Sequence, residues 1–180
     1  GYNASGGDLS TSVDDLLVSS DPAMASATEE ITLSANLSTD AEYDTEYLST
    51  ATFDGTSSGD SWDALDDADF TTSVTVYDSL GEEHEVTIAY ERTSDTEWSY
   101  YVLVDGSEMV DSSGTAGEED YPWMVASGTL SFDEDGEMTG FTQDNTSDTD
   151  GWNFGNGAAA QDFVLNFGID EVGDATDGSI

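Results

Sequence analysis

The side chains able to do chemistry are almost all carboxylates. The chain of 180 residues carries 41 Asp and Glu against one Lys or Arg, Arg92, and its formal net charge is -40. At that density acidic pairs occur everywhere. A glycosidase-like acid and base need two carboxylates held at a defined separation across a cleft, which spacing along a β chain does not define. Asp133-Glu134-Asp135-Gly136-Glu137 has the close carboxylates and the glycine that open a calcium loop. It lacks the twelve-residue spacing and the flanking helices, so it reads as an acidic β-turn.

His84 is the only histidine and follows Glu82-Glu83, and there is no cysteine. A multi-histidine or thiolate zinc site within the chain is thereby excluded. Asp78, Ser79 and His84 raise a nucleophile-and-base arrangement. They lie around a turn without a glycine-flanked serine elbow, so His84 reads as a strand-entry histidine. No glycine-rich loop carries a lysine into a helix to cradle phosphate. Trp62, Trp98, Trp123 and Trp152 are read as packing residues in preference to a sugar-stacking platform. Asn3-Ala4-Ser5, Asn36-Leu37-Ser38 and Asn145-Thr146-Ser147 fit a glycosylation triplet too common to imply modification by itself. No catalytic residue, metal or cofactor is expected, and the chain reads as a non-enzymatic module.

The charge balance also limits partners. A nucleic-acid face is built from clustered Lys and Arg, which this chain lacks. No basic amphipathic segment is present to hold an anionic membrane, and no run of roughly 18 apolar residues is present to span one. No secretory signal pattern is visible, and a start at Gly1 without Met suggests a processed or excised portion. With 36% hydrophobic and 11% aromatic residues there is material for a small core. Acidity spread over the whole chain, with Lys absent, points to a salty habitat where screening shortens the repulsion.

The elements that must position these residues are strands. Glu30 to Leu37 alternates apolar and polar residues, as does Phe70 to Tyr77. Asp78-Ser79-Leu80-Gly81 supplies a turn, and His84, Val86, Ile88 and Tyr90 resume the period. Trp98, Tyr100, Val102 and Val104 form a third strand of an antiparallel meander, ended by the hairpin signal Asp105-Gly106. Tyr121, Trp123 and Val125 lead into a short strand from Gly128 to Phe132, and the turn Asp133 to Gly136 sends the chain toward Met138. The last strand is Phe163 to Ile169. Residues 1 to about 28 read as an extended lead-in with Leu16-Leu17-Val18 as its apolar interruption. Residues Thr39 to Asp69, Val110 to Asp120 and a stretch reaching Asp162 read as loops, and no turn is seen to recur. The fold class is all-β, an antiparallel barrel or sandwich-like domain with a smaller β-rich portion from the two chain ends. The division expected is 1–38 with 160–180 as an inner portion, and 39–159 as an outer domain with long acidic loops.

Several segments in order resemble the bacterial flagellar hook and rod protein family. Thr72 to Gly81, followed by Glu82-Glu83-His84, is similar to its threonine-valine-tyrosine-aspartate-serine-leucine-glycine signature. Ala27 to Leu37, Trp98, Asp105-Gly106, Gly128 to Phe132 with Asp133 and Gly136, and Phe163 to Phe167 follow in family order. Gly1 to Ala4 resembles the segment beyond the amino-terminal flagellar core. In Thr39 to Ala68, Val110 to Asp120 and Gln143 to Gln161 no motif of the resemblance is placed. The resemblance implies the outer β-rich part of a hook subunit without its terminal helical polymerisation segments. Its partners would be other copies of the full-length protein in a helical tube and other axial proteins at the hook ends. The location implied is the extracellular hook, a curved joint that passes motor torque to the filament. A distal-rod subunit, or a secreted halophilic carbohydrate-binding module, is the alternative. Asp78, Ser79, Leu80, Gly81, Asp105, Gly106, Asp133 and Gly136 are assigned to fold-defining turns, and the loops Thr39 to Ala68 and Val110 to Asp120 are candidates for subunit contact or species-specific exposure.

Overall fold

Alternation of β-branched and aromatic residues produces one dominant sheet. The computed structural model describes residues 4–5, 8–9, 26–41, 48–145 and 152–168. Leu16-Leu17-Val18, the Gly1-Tyr2-Asn3 segment and Ile169 lie outside these residues. Nine strands are present among the described residues: β1 (Ala4–Ser5), β2 (Asp8–Leu9), β3 (Glu30–Thr32), β4 (Phe70–Tyr77), β5 (Glu83–Arg92), β6 (Glu97–Asp105), β7 (Pro122–Phe132), β8 (Met138–Asn145) and β9 (Val164–Asn166). β4 to β8 form a five-stranded sheet in sequence order, antiparallel throughout, and β1 pairs with β2. Register shifts opposite Val102/Leu103 and at Ser131/Phe132 add local twist. The sheet curls into an antiparallel half-barrel, and β3 with β9 forms a small second sheet.

Both faces of the central strands are covered. Val86, Ile88, Tyr90, Trp98, Tyr100, Val102 and Val104 point to one side and pack with Ile31, Leu33, Trp152, Phe154, Phe163 and Leu165. Ala89, Tyr101 and Leu103 point to the other, where Leu48 and Phe53 close over them with half-buried Trp62 and Leu65. Segment 48–68, read as a loop, is therefore a covering flap built around two short 3-10 turns, Leu48–Thr50 and Trp62–Asp67. Its apolar residues lack a period because they cap a sheet and extend no strand.

Several boundaries differ from expectation. The strand from Glu30 ends at Thr32, because its partner is the three-residue β9, in parallel register Glu30↔Val164 to Thr32↔Asn166. The Leu33 N–H makes one more bond, to the Asn166 carbonyl, and alternation beyond it finds no neighbouring strand. Asp105-Gly106 closes no tight hairpin. The chain leaves β6 through the 3-10 turn Gly106–Glu108 and returns only at Pro122, where β7 runs unbroken to Phe132. Met138–Asn145 is a strand, where most of it reads as loop from sequence, because Gly140, Thr142 and Gln143 interrupt its apolar alternation.

The turns do recur, contrary to expectation. Asp78–Glu82, Asp111–Thr115 and Asp133–Glu137 share one construction. In each, the Asp Oδ1 accepts the N–H groups two and four residues on, and the Asp N–H donates to the carbonyl four residues on. The fourth residue, Gly81, Gly114 or Gly136, has φ between +81° and +83°. The three share only Asp at the first place and Gly at the fourth, a pattern hidden among 41 acidic residues and 18 glycines.

Candidate functional site

The polar group with the most convergent geometry stands where the β4–β5 turn meets two distant segments. His84 enters β5 opposite Val76 and is 5% exposed. Its ring stacks on Phe154 at 3.6 Å between centroids. Nδ1 lies 2.6 Å from Glu108 Oε2 and Nε2 lies 3.3 Å from Asp78 Oδ2. Asn156 Nδ2 donates to Asp78 Oδ2 at 2.5 Å and to Glu82 Oε2 at 2.7 Å, while its Oδ1 accepts the Ala158 N–H. A turn, a 3-10 element and segment 152–161 are thus tied together.

Asp78 is fully buried. Burial raises the pKa of its carboxyl, but bonds from Asn156, the Glu82 N–H, His84 and the Leu80 N–H outweigh that and hold it down at about 2. Ser79 Oγ accepts the Ala159 N–H at 2.8 Å, which spends it on locking the turn to segment 152–161. The Ser79 and His84 pair raised by sequence is not assembled, since both ring nitrogens of His84 face carboxylates. An open cleft of about 370 Å3 beside the cluster is lined by acidic Glu82, Glu83 and Glu108 with Asn156. Among the described residues no group of three or more His, Asp or Glu is placed to hold a metal ion.

The other singled-out residues stay apart from this cluster. Asp105 Oδ1 accepts both the N–H and the hydroxyl of Ser107. Gly106 is needed for close approach: a Cβ there would sit 2.6 Å from the carbonyl oxygens of Gly55 and Tyr121. Asp133 and Gly136 form the exposed β7–β8 turn, with Asp133 Oδ1 turned inward to backbone N–H groups. Leu80 is 61% exposed. Trp98 and Trp152 are buried and Trp62 and Trp123 half-buried, on different parts of the core, so they form no exposed row. Asn36 is exposed.

Sequence reasoning missed Glu108, Phe154 and Asn156. They lie 24 to 78 residues from their partners, and no local pattern marks them. Arg92, the only permanent cation, is 8% exposed and donates to the Thr39, Ala41 and Ser94 carbonyls. It fastens the strand end to segment 39–41. Arg92 and His84 are therefore both turned inward, and the described surface is anionic.

These features define a β module whose polar clusters brace loops. Residues 47–179 match the family described as Flagellar basal body protein FlaE D2 domain, and the chain belongs to that family. Its role is accordingly that of a structural domain in a flagellar axial protein, a component of the extracellular flagellum. No curated protein matches the chain.

Proposed function

We propose that this chain is the outer β-rich part of a flagellar hook subunit, many copies of which assemble helically into the curved joint between motor and filament. The family match over residues 47–179 carries the reading. Within that span lies the stretch Thr72 to Gly81, whose resemblance to hook proteins is strongest. The partners are other copies of the full-length polypeptide and the axial proteins at the two hook ends. A distal-rod subunit is the nearest alternative, and the covering flap 48–68 enlarges this domain in the direction of the hook. The buried and half-buried tryptophans give no support to a carbohydrate-binding module.

Within the subunit, 1–38 with 160–180 form the inner portion and 39–159 the outer one. The parallel pairing of β3 with β9 supports this, because it sets the incoming and outgoing segments side by side. The turns at Asp78 to Gly81, Asp105-Gly106 and Asp133 to Gly136 define the fold of the outer portion. Wet, polar contacts between copies rearrange at lower cost than apolar ones, as a rotating curved tube requires. At -40 per copy, assembly depends on salt or cations to screen repulsion.

Electron cryomicroscopy of tubes formed by the full-length parent polypeptide at high salt tests the reading. A hollow curved tube with this domain projecting outward is the expected image, and a straight short assembly indicates the rod. A salt series on the same tubes is expected to show dissociation as ionic strength falls. Assembly undiminished at very low salt would refute the screening argument.

A further inference from the structure

Among the described residues, the edge of β4 is the least defended part of the sheet. β4 has β5 on one side only and lies at the end of the sheet. The Asp78 N–H bonds the Glu82 carbonyl, which sets the phase of the ladder. Bonding to β5 recurs at every second residue back from Asp78, so the intervening Tyr77, Thr75, Ser73 and Thr71 turn their N–H and C=O groups away from β5. At Tyr77 these groups are taken: its carbonyl accepts the Thr28 N–H and its N–H donates to Thr28 Oγ1, each at 2.9 Å. Along Thr71, Ser73 and Thr75 no described residue pairs with the edge.

Sheets ordinarily blunt such an edge with charge, proline, a bulge or shortness. β8, at the opposite edge, has a register shift and Gly140. β4 has none of these over eight residues, Phe-Thr-Thr-Ser-Val-Thr-Val-Tyr, and pairs with β5 in unbroken register. The large hydrophobic residues exposed among the described residues are Phe70, Tyr77, Leu80 and Val164, and three of these four lie on β4 or its turn.

We propose that the β4 edge is a strand-addition surface occupied by a second copy of this chain. The proposal rests on the axial-subunit reading and names a contact for it. Given that copies assemble, charge selects where they meet. Each copy carries -40 with Arg92 and His84 turned inward, so approach through the acidic loops sets like charges together. Approach along Phe70 to Tyr77 presents no charged side chain on the strand. Thr28 already shows that an extended backbone fits the edge. The chain's own lead-in does not continue there among the described residues, since Ser26 is exposed and neither Ser26 nor Ala27 bonds Thr75. This places the contact on β4, outside the loops Thr39 to Ala68 and Val110 to Asp120.

Amide hydrogen exchange in the full-length polypeptide tests the contact, with the N–H groups of Thr71, Ser73 and Thr75 as its reporters and that of Glu134, on an exposed turn, as the control. Exchange at Thr71, Ser73 and Thr75 is expected to be rapid in monomers and at least about tenfold slower in tubes, with Glu134 rapid in both, because a paired strand opens only rarely. Thr75→Pro removes an outward N–H and leaves the ladder to β5 intact. It is expected to weaken assembly about tenfold with the circular dichroism of the monomer unchanged, the worth of about one hydrogen bond. Equal exchange in tubes and monomers overturns the contact and leaves the axial reading standing. Protection already present in the monomer assigns the edge to the chain's own lead-in and also overturns it. Failure of the unmodified polypeptide to form tubes at all overturns both.

Discussion

The turns at Asp78–Glu82 and Asp133–Glu137 are built alike and are used differently. Each has Asp at its first place, Gly at its fourth and Glu at its fifth, with the same backbone bonds and φ of +83° and +81° at the glycine. In the first, the second carboxylate oxygen is buried against Asn156 and His84. In the second, the Asp side chain bonds only its own turn among the contacts described. Local sequence thus sets the shape of a turn, while its weight in stability comes from what the rest of the chain brings to it.

The largest effect should separate the two turns by side-chain truncation. Asp78→Ala removes a buried anion from His84 and Asn156 and is expected to cost about 3–5 kcal/mol. Asp133→Ala loses exposed backbone-directed bonds and is expected to cost about 1 kcal/mol or less. Urea unfolding at neutral pH measures both. Equal losses would mean that the buried cluster adds nothing to the turn.

A smaller effect follows from titration. The Asp78 carboxyl sits at about 2 in the folded chain against an ordinary value of 3.8. A group whose folded pKa is depressed contributes stability above its unfolded pKa and loses it as pH falls through the folded value. The difference corresponds to about 2 kcal/mol, present above pH 4 and lost toward pH 2. Thermal unfolding of the unaltered chain and of Asp78→Asn is therefore expected to differ most above pH 4 and to converge toward pH 2. A gap independent of pH would assign the effect to packing. The 133–137 turn offers no such buried group.

The same contrast explains how much of the molecule was legible in its sequence. Phe70–Tyr77 has the period of a half-buried strand with a turn residue directly behind it, and its bounds agree with the structure. β8 was hidden because Gly140 and a polar end break the period, and its register is supplied by β7. At Asp105-Gly106 the dipeptide resembles a hairpin turn. The glycine instead serves a close approach of three backbone segments, which only their tertiary arrangement reveals. Asp78 and His84 could be named from sequence, whereas Glu108 and Asn156 could not. A side chain recruited across 78 residues leaves no local trace.

The smallest predicted effects should be nearly equal between the turns. Gly81 and Gly136 both occupy the left-handed region, where a side chain costs about 1 kcal/mol through backbone strain. At Gly136 an added Cβ meets nothing within 4 Å, so Gly136→Ala isolates that backbone term. Gly81→Ala is expected to lose a similar amount in the same urea experiment if the turn's conformation is a local matter. The peptide N–H of Glu82, next in the chain, points at Asp78 Oδ1, so any shift of the turn is felt by the buried carboxylate. A loss at Gly81 well above that at Gly136 would show that the cluster around His84 holds the backbone as well as the side chain. The two turns would then differ in their local geometry's tolerance, not only in their partners.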